Sequence, residues 1–132
     1  MIEKQIKNYF INNADIVAVY LYGSYANGKV HPGSDVDIAL LFGKRDRDLV
    51  YDCLEQFHVE LSRNLRKDLH LVAMDFAGEV LLKQILKNGR CLIVNDPKTL
   101  ANFTMDALSK IADFQYYLNK MQSAMTRKVM DL

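Results

Sequence analysis

Asp35 and Asp37 stand two residues apart, shortly after a Gly23-Ser24 pair that ends an apolar run. On a strand, side chains at this spacing project from one face, so both carboxylates point the same way. Glycine lets the backbone approach a ligand closely, and the serine beside it adds a hydroxyl. Paired hard oxygen donors suit Mg²⁺ together with the phosphates of a nucleoside triphosphate. Taken singly, Gly-Ser and Asp-x-Asp are ordinary loop and strand-cap residues. In this order they read as a phosphate-holding turn feeding a metal-binding strand.

The elements that must position these groups follow from periodicity. Ile2, Ile6, Tyr9 and Phe10 recur at helical spacing until Asn12-Asn13 stop the pattern, and residues 16–22 form a β-branched and aromatic run that reads as a buried strand. A short helical turn is expected over residues 25–28, and His31-Pro32-Gly33 makes a tight reversal into a second strand over residues 36–42. Val50, Leu54, Phe57, Leu61 and Leu65 mark an amphipathic helix. Residues 69–74 read as a third strand, residues 78–87 as a helix closed by a left-handed Gly89, and residues 91–94 as a short last strand. Asp96-Pro97 opens a long final helix with an apolar stripe at Phe103, Ala107, Leu108, Ile111, Phe114, Leu118, Met121 and Met125. The fold class is therefore α/β: a small mixed sheet flanked by helices, in one domain over residues 1–132, with a core over about 1–96 and a C-terminal helix over about 97–130.

A strand, a crossover helix and a further strand form a right-handed parallel unit, so the strands opening near Asp35 and Asp68 should start at one end of the sheet. Asp68 then falls beside Asp35 and Asp37, whereas Asp75 lies about 23 Å off at the strand's far end. Three converging carboxylates repel one another unless cations neutralise them. In a two-metal arrangement Asp35 and Asp37 hold both ions, one of which also grips the triphosphate. Asp68 binds the other beside an attacking hydroxyl and helps deprotonate it. His70 shares the strand face of Asp68, and a strand histidine near a pocket reads first as a packing or hydrogen-bonding residue. Cys53 reads as a small buried hydrophobe.

Composition bounds the remaining possibilities. The chain has 132 residues, 50% of them apolar, enough for a core without disulfide or structural metal. Seventeen basic against sixteen acidic residues give a net charge of +1, so general nucleic-acid or membrane-surface binding has no electrostatic basis. Cys53 and Cys91 lack zinc spacing, and no apolar signal core or membrane-length run occurs, which makes a cytoplasmic protein the expectation.

Gly23-Ser24, Gly28, Ser34-Asp35-Val36-Asp37 and Asp68 together resemble the pattern of the DNA polymerase beta-like nucleotidyltransferase superfamily, over residues from about 16 to 94. The short length resembles its minimal nucleotidyltransferase branch. That branch holds MntA-type antitoxins encoded with a HEPN-domain ribonuclease toxin, HepT, and similar proteins transfer AMP from ATP to a tyrosine of the toxin. The resemblance implies metal binding and catalysis at Asp35, Asp37 and Asp68, with two Mg²⁺ ions. It also implies nucleotide contacts at Gly23 and Ser24, to which Ser34 and the loop residue Lys29 are added. The expected partners are ATP and a HEPN-domain toxin, with no membrane and no direct nucleic acid.

The chain departs from this branch at Asn27, where an Arg is usual. Lys29 then substitutes as a point charge without the planar fork, or nucleotide affinity falls. Two other readings stand beside the adenylyltransferase: an antitoxin that neutralises its toxin by binding alone, and an aminoglycoside-type transferase acting on a small molecule. The last helix carries more methionine and aromatic residues than one packed face needs. Phe103, Ile111, Phe114 and Leu118 are assigned to covering the sheet, and the later apolar residues to a toxin-binding or homodimer surface. Tyr116 and Tyr117 fit either.

Overall fold

A computed structural model describes residues 2–31, 33–43 and 46–131. The elements run α1 Ile2–Phe10, β1 Ala18–Tyr22, α2 Ser24–Asn27, β2 Val36–Leu41, α3 Arg47–Leu65, β3 Leu69–Ala73, a 3₁₀ turn Met74–Phe76, α4 Glu79–Asn88, β4 Arg90–Val94 and α5 Pro97–Met130. The strands form one mixed sheet in the order β3-β2-β1-β4. β1 pairs antiparallel with both β2 and β4, and β2 runs parallel to β3 across the α3 crossover, as the sequence predicts.

Local chemistry sets the boundaries. The Asp46 carboxylate accepts from the Leu49 amide at the start of α3, and Arg66 closes that helix in a left-handed conformation at φ 54°. Asp96 likewise caps α5 by accepting from Thr99 N at 3.2 Å, with Pro97 in the first turn, where its missing N–H costs nothing. β1 begins at Ala18, two residues later than expected, although Ile16 and Val17 are also buried. β3 ends one residue early because Met74 turns into the 3₁₀ segment.

Alternation along the central strands separates two apolar layers. Val19, Leu21, Ile38 and Leu40 pack with Ile6 and Phe10 of α1 and with Val50, Phe57 and Leu61 of α3. Ala18, Tyr22, Ala39 and Leu41 face Leu82 and Ile85 of α4 and Ala107 of α5. Each fully buried aliphatic or aromatic side chain here stabilises the fold by about 1.5–3 kcal/mol. Asn95, just past β4, ties that strand to the α1–β1 connection: its amide donates to the carbonyls of Phe10, Asn13 and Ile16 at 3.2, 3.4 and 3.1 Å.

Two expectations need correction. Gly89 lies at φ −79°, outside the left-handed region. Glycine is needed there for closeness, because a Cβ would fall 2.4 Å from the Ile85 carbonyl oxygen. Phe114 does not cover the sheet but is 36% exposed, and Leu118 is only half-buried. The cause is length: 34 residues at about 1.5 Å each reach roughly 50 Å, well past the strands. The contacts of α5 with the core fall at Leu100, Phe103, Ala107 and Ile111.

Candidate active site

β1 ends at Tyr22, and the chain turns sharply at Gly23, where φ is +72°. The Gly23 carbonyl accepts from the amides of Ala26 and Asn27 at 3.1 and 3.2 Å. Lys29 N then closes the turn on the Ser24 carbonyl at 3.1 Å, with Gly28 left-handed at φ 71°. Two positive-φ glycines thus bracket one helical turn, a backbone path that residues with a Cβ adopt only at a cost. Ser24 is half-buried at its start, while Asn27 and Lys29 are exposed.

Asp37 sits in β2 opposite Tyr22. Its carboxylate leans over Gly23 so closely that a Cβ there would lie 2.2 Å from Oδ2. Turn and carboxylate therefore form one unit. Asp37 is also half-buried, and its charge joins burial in pushing the Tyr22 phenol up to about 12, burial being the larger cause. Asp35 precedes β2 and is exposed. The turn leading to it is held by Ser34, whose amide donates to the His31 carbonyl at 2.9 Å and whose Oγ accepts from His31 N at 2.9 Å. Pro32 of the expected reversal lies outside the described residues.

β2 and β3 do begin at the same sheet end, since Val36 N donates to the Asp68 carbonyl at 2.9 Å and Val36 pairs with Leu69. The Asp68 side chain is exposed and lines a cleft of about 420 Å³ with Gly33, Ser34, Ser62, Arg66 and Lys67. His70 is the strand partner of Asp37, with Nδ1 3.4 Å from Oδ1. At 63% side-chain exposure it does not pack, and of the two expected roles the polar contact with Asp37 is the one present. The signal available beforehand was its two-residue spacing from Asp68 in a parallel pair.

Among the described residues, no three His, Cys, Asp or Glu side chains gather into a ready-made metal cage. The donor chemistry still fits Mg²⁺, which takes one or two carboxylates and draws its remaining ligands from phosphates and water. Asp35 and Asp37 can supply the carboxylates. Asp75, by contrast, serves the opposite end of the sheet, where Oδ1 accepts from Phe42 N at 2.9 Å. A larger cleft of about 620 Å³ opens at that same end, but Asn95 and Asp96 in its lining are committed to the backbone contacts already described. The side chains able to take a metal and phosphates are concentrated at the Gly23 end.

Residues 4–98 match the family described as Polymerase beta, Nucleotidyltransferase, and the chain belongs to that family. Over 74 residues it is 35% identical to the protein adenylyltransferase MntA of Shewanella oneidensis. That stretch covers 56% of this chain and 51% of the relative, so the match spans about half the length of that protein. Among solved structures, the chain is similar to one in a toxin–antitoxin crystal structure with AMP-PNP, at 27% identity and a TM-score of 0.68, covering 97% of this chain and 98% of that one. A structure of tri-AMPylated Shewanella oneidensis HEPN toxin in complex with MNT antitoxin is similar at 25% identity and a TM-score of 0.63, covering 98% and 96%. Among the described residues, no helix is long and apolar enough to cross a membrane.

Proposed function

We propose that the chain is an Mg²⁺-dependent nucleotidyltransferase antitoxin that transfers AMP from ATP to a tyrosine hydroxyl of a cognate HEPN-domain toxin in the cytoplasm. The observation that carries this reading is the Asp37 carboxylate held over Gly23, with Ser24 next to that glycine in the chain and Asp35 two residues before Asp37. The family membership and the MntA relative support it.

In this reading Gly23, Ser24 and nearby amides receive the terminal phosphates, Ser34 flanks the nucleotide, and Lys29 adds positive charge. Asp35 and Asp37 hold the metal, which when bound neutralises negative charge building on the leaving pyrophosphate. Asp68 accepts the proton of the toxin hydroxyl, whose oxygen forms a bond to the α-phosphorus as the bond from that phosphorus to pyrophosphate breaks. The exposed stripe at Phe114, Tyr117, Met121 and Met125 on α5 receives the toxin.

Intact-mass measurement of the toxin after incubation with this chain, ATP and Mg²⁺ tests the proposal. The expected result is AMP addition by the native chain and none by Asp35→Asn or Asp37→Asn. Equal addition with those variants, or none at all, overturns it. Asn27, which lacks the charge of an arginine, favours a second reading in which the antitoxin acts by covering the toxin. Full rescue from toxicity by Asp35→Asn would establish that one.

A further inference from the structure

We infer that His70 is a direct metal-binding residue of this site, giving it a mixed nitrogen and oxygen donor set. This rests on the nucleotidyltransferase reading and names a ligand within it. Three observations converge. Parallel pairing puts His70 in register with Asp37, so both side chains rise from the same sheet face. Their closest atoms, Nδ1 and Oδ1, are 3.4 Å apart, near the roughly 3 Å that separates adjacent ligands of an octahedral ion bound at about 2.1 Å. The His70 side chain is 63% exposed, so no packing role explains its position. Asp68, two residues earlier, borders the adjoining cleft that Ser34 also lines.

The consequence is selectivity. A carboxylate at the place of His70 would add negative charge and a hard oxygen, whereas imidazole adds a neutral nitrogen. Imidazole nitrogen raises affinity for transition metals relative to Mg²⁺, and Mn²⁺ accepts oxygen and nitrogen donors together. His70 therefore raises the affinity of the site for Mn²⁺ relative to Mg²⁺ above that of an all-carboxylate site, while Asp35 and Asp37 still serve Mg²⁺, and His70→Asp lowers that ratio.

The test uses the full chain with Mn²⁺ alone, followed by electron spin-echo envelope modulation and by a binding titration. The expected spectrum carries ¹⁴N modulation from a coordinated imidazole. His70→Ala removes that modulation and weakens Mn²⁺ binding about 10-fold. His31→Gln and His58→Gln retain both, while His70→Asp binds Mn²⁺ without nitrogen coupling and narrows the preference for Mn²⁺ over Mg²⁺. If Mn²⁺ binds in an Asp37-dependent manner but without ¹⁴N modulation, or if His70→Ala binds it unchanged, the role of His70 is refuted while the enzymatic reading stands. If the native chain binds no Mn²⁺ even with ATP, the role of His70 is refuted, and AMP transfer with Mg²⁺ in the intact-mass measurement decides the enzymatic reading separately.

Discussion

The Asp37 carboxylate occupies the space that a side chain on Gly23 would need, with Oδ2 2.2 Å from where a Cβ would sit. Replacing Gly23 by alanine must therefore displace Asp37 as well as force a side chain into positive φ. Gly23→Ala is expected to destabilise the fold by about 1–3 kcal/mol and to abolish metal-assisted ATP binding. Gly28 also has positive φ, but nothing lies within 4 Å of its Cβ position. Gly28→Ala should cost about 1–2 kcal/mol and leave ATP binding within a few-fold of normal. Urea unfolding with calorimetric ATP titration separates the two effects.

Asn27 closes α2 on its exposed side, beside the turn proposed to receive the phosphates. Asn27→Arg adds a permanently charged, planar donor without disturbing packing. ATP affinity should rise about 5-fold, an effect of about 1 kcal/mol that shrinks as salt increases. Unchanged affinity at low salt would show that phosphate binding does not draw on this side of the turn.

Asp75 bears on stability through pH. Burial raises its carboxyl above the ordinary 3.8, and the backbone hydrogen bonds from Phe42 and Gly43 oppose that rise without cancelling it. Between the unfolded and the raised folded pKa, the native state binds more protons than the unfolded chain. Stability contributed by this group therefore falls as pH climbs through that window and is level above it. The Asp75→Asn variant keeps an acceptor for Phe42 N and should lack the slope. Urea unfolding of both proteins at a series of pH values above 4 checks the difference.

The outer half of α5 should matter to a partner and hardly at all to folding. Met121 and Met125 are 60% and 66% exposed, so Met121→Asp with Met125→Asp removes no core contact. Unfolding free energy should change by less than about 0.5 kcal/mol per site. Affinity for the toxin should drop at least 10-fold in a binding titration. A stable double variant that binds as tightly as the native chain places the toxin elsewhere.

Much of this fold is legible in the residues. The crossover between Val36 and Leu69 announces a parallel pair because handedness and short connections leave few alternatives. Asp96-Pro97 marks a helix start through capping chemistry that acts within four residues. What escapes is information set by distant neighbours. The stripe on α5 shows which residues share a face but not where the sheet beneath them ends, so the pattern places Phe114 over the sheet while the residue lies at the surface. Position after a helix suggests a left-handed cap at Gly89, yet the crowding that requires glycine comes from the carbonyl oxygens of Ile85 and of Leu21 in β1. His70 was the subtlest: strand alternation gives its face, but only register against Asp37 reveals what it meets.

The placement of β4 also governs the order in which the fold can close during synthesis. β1, β2 and β3 all emerge within the first 73 residues, but β1 stays an open sheet edge until residues 90–94 leave the ribosome. Its exposed Val-Tyr-Leu ladder is then a place for two nascent chains to join. Asn95, arriving immediately after β4, locks that closure by gripping carbonyls laid down about 80 residues earlier. The side of the sheet that bears the chemistry can thus assemble first, and the opposite edge is sealed last.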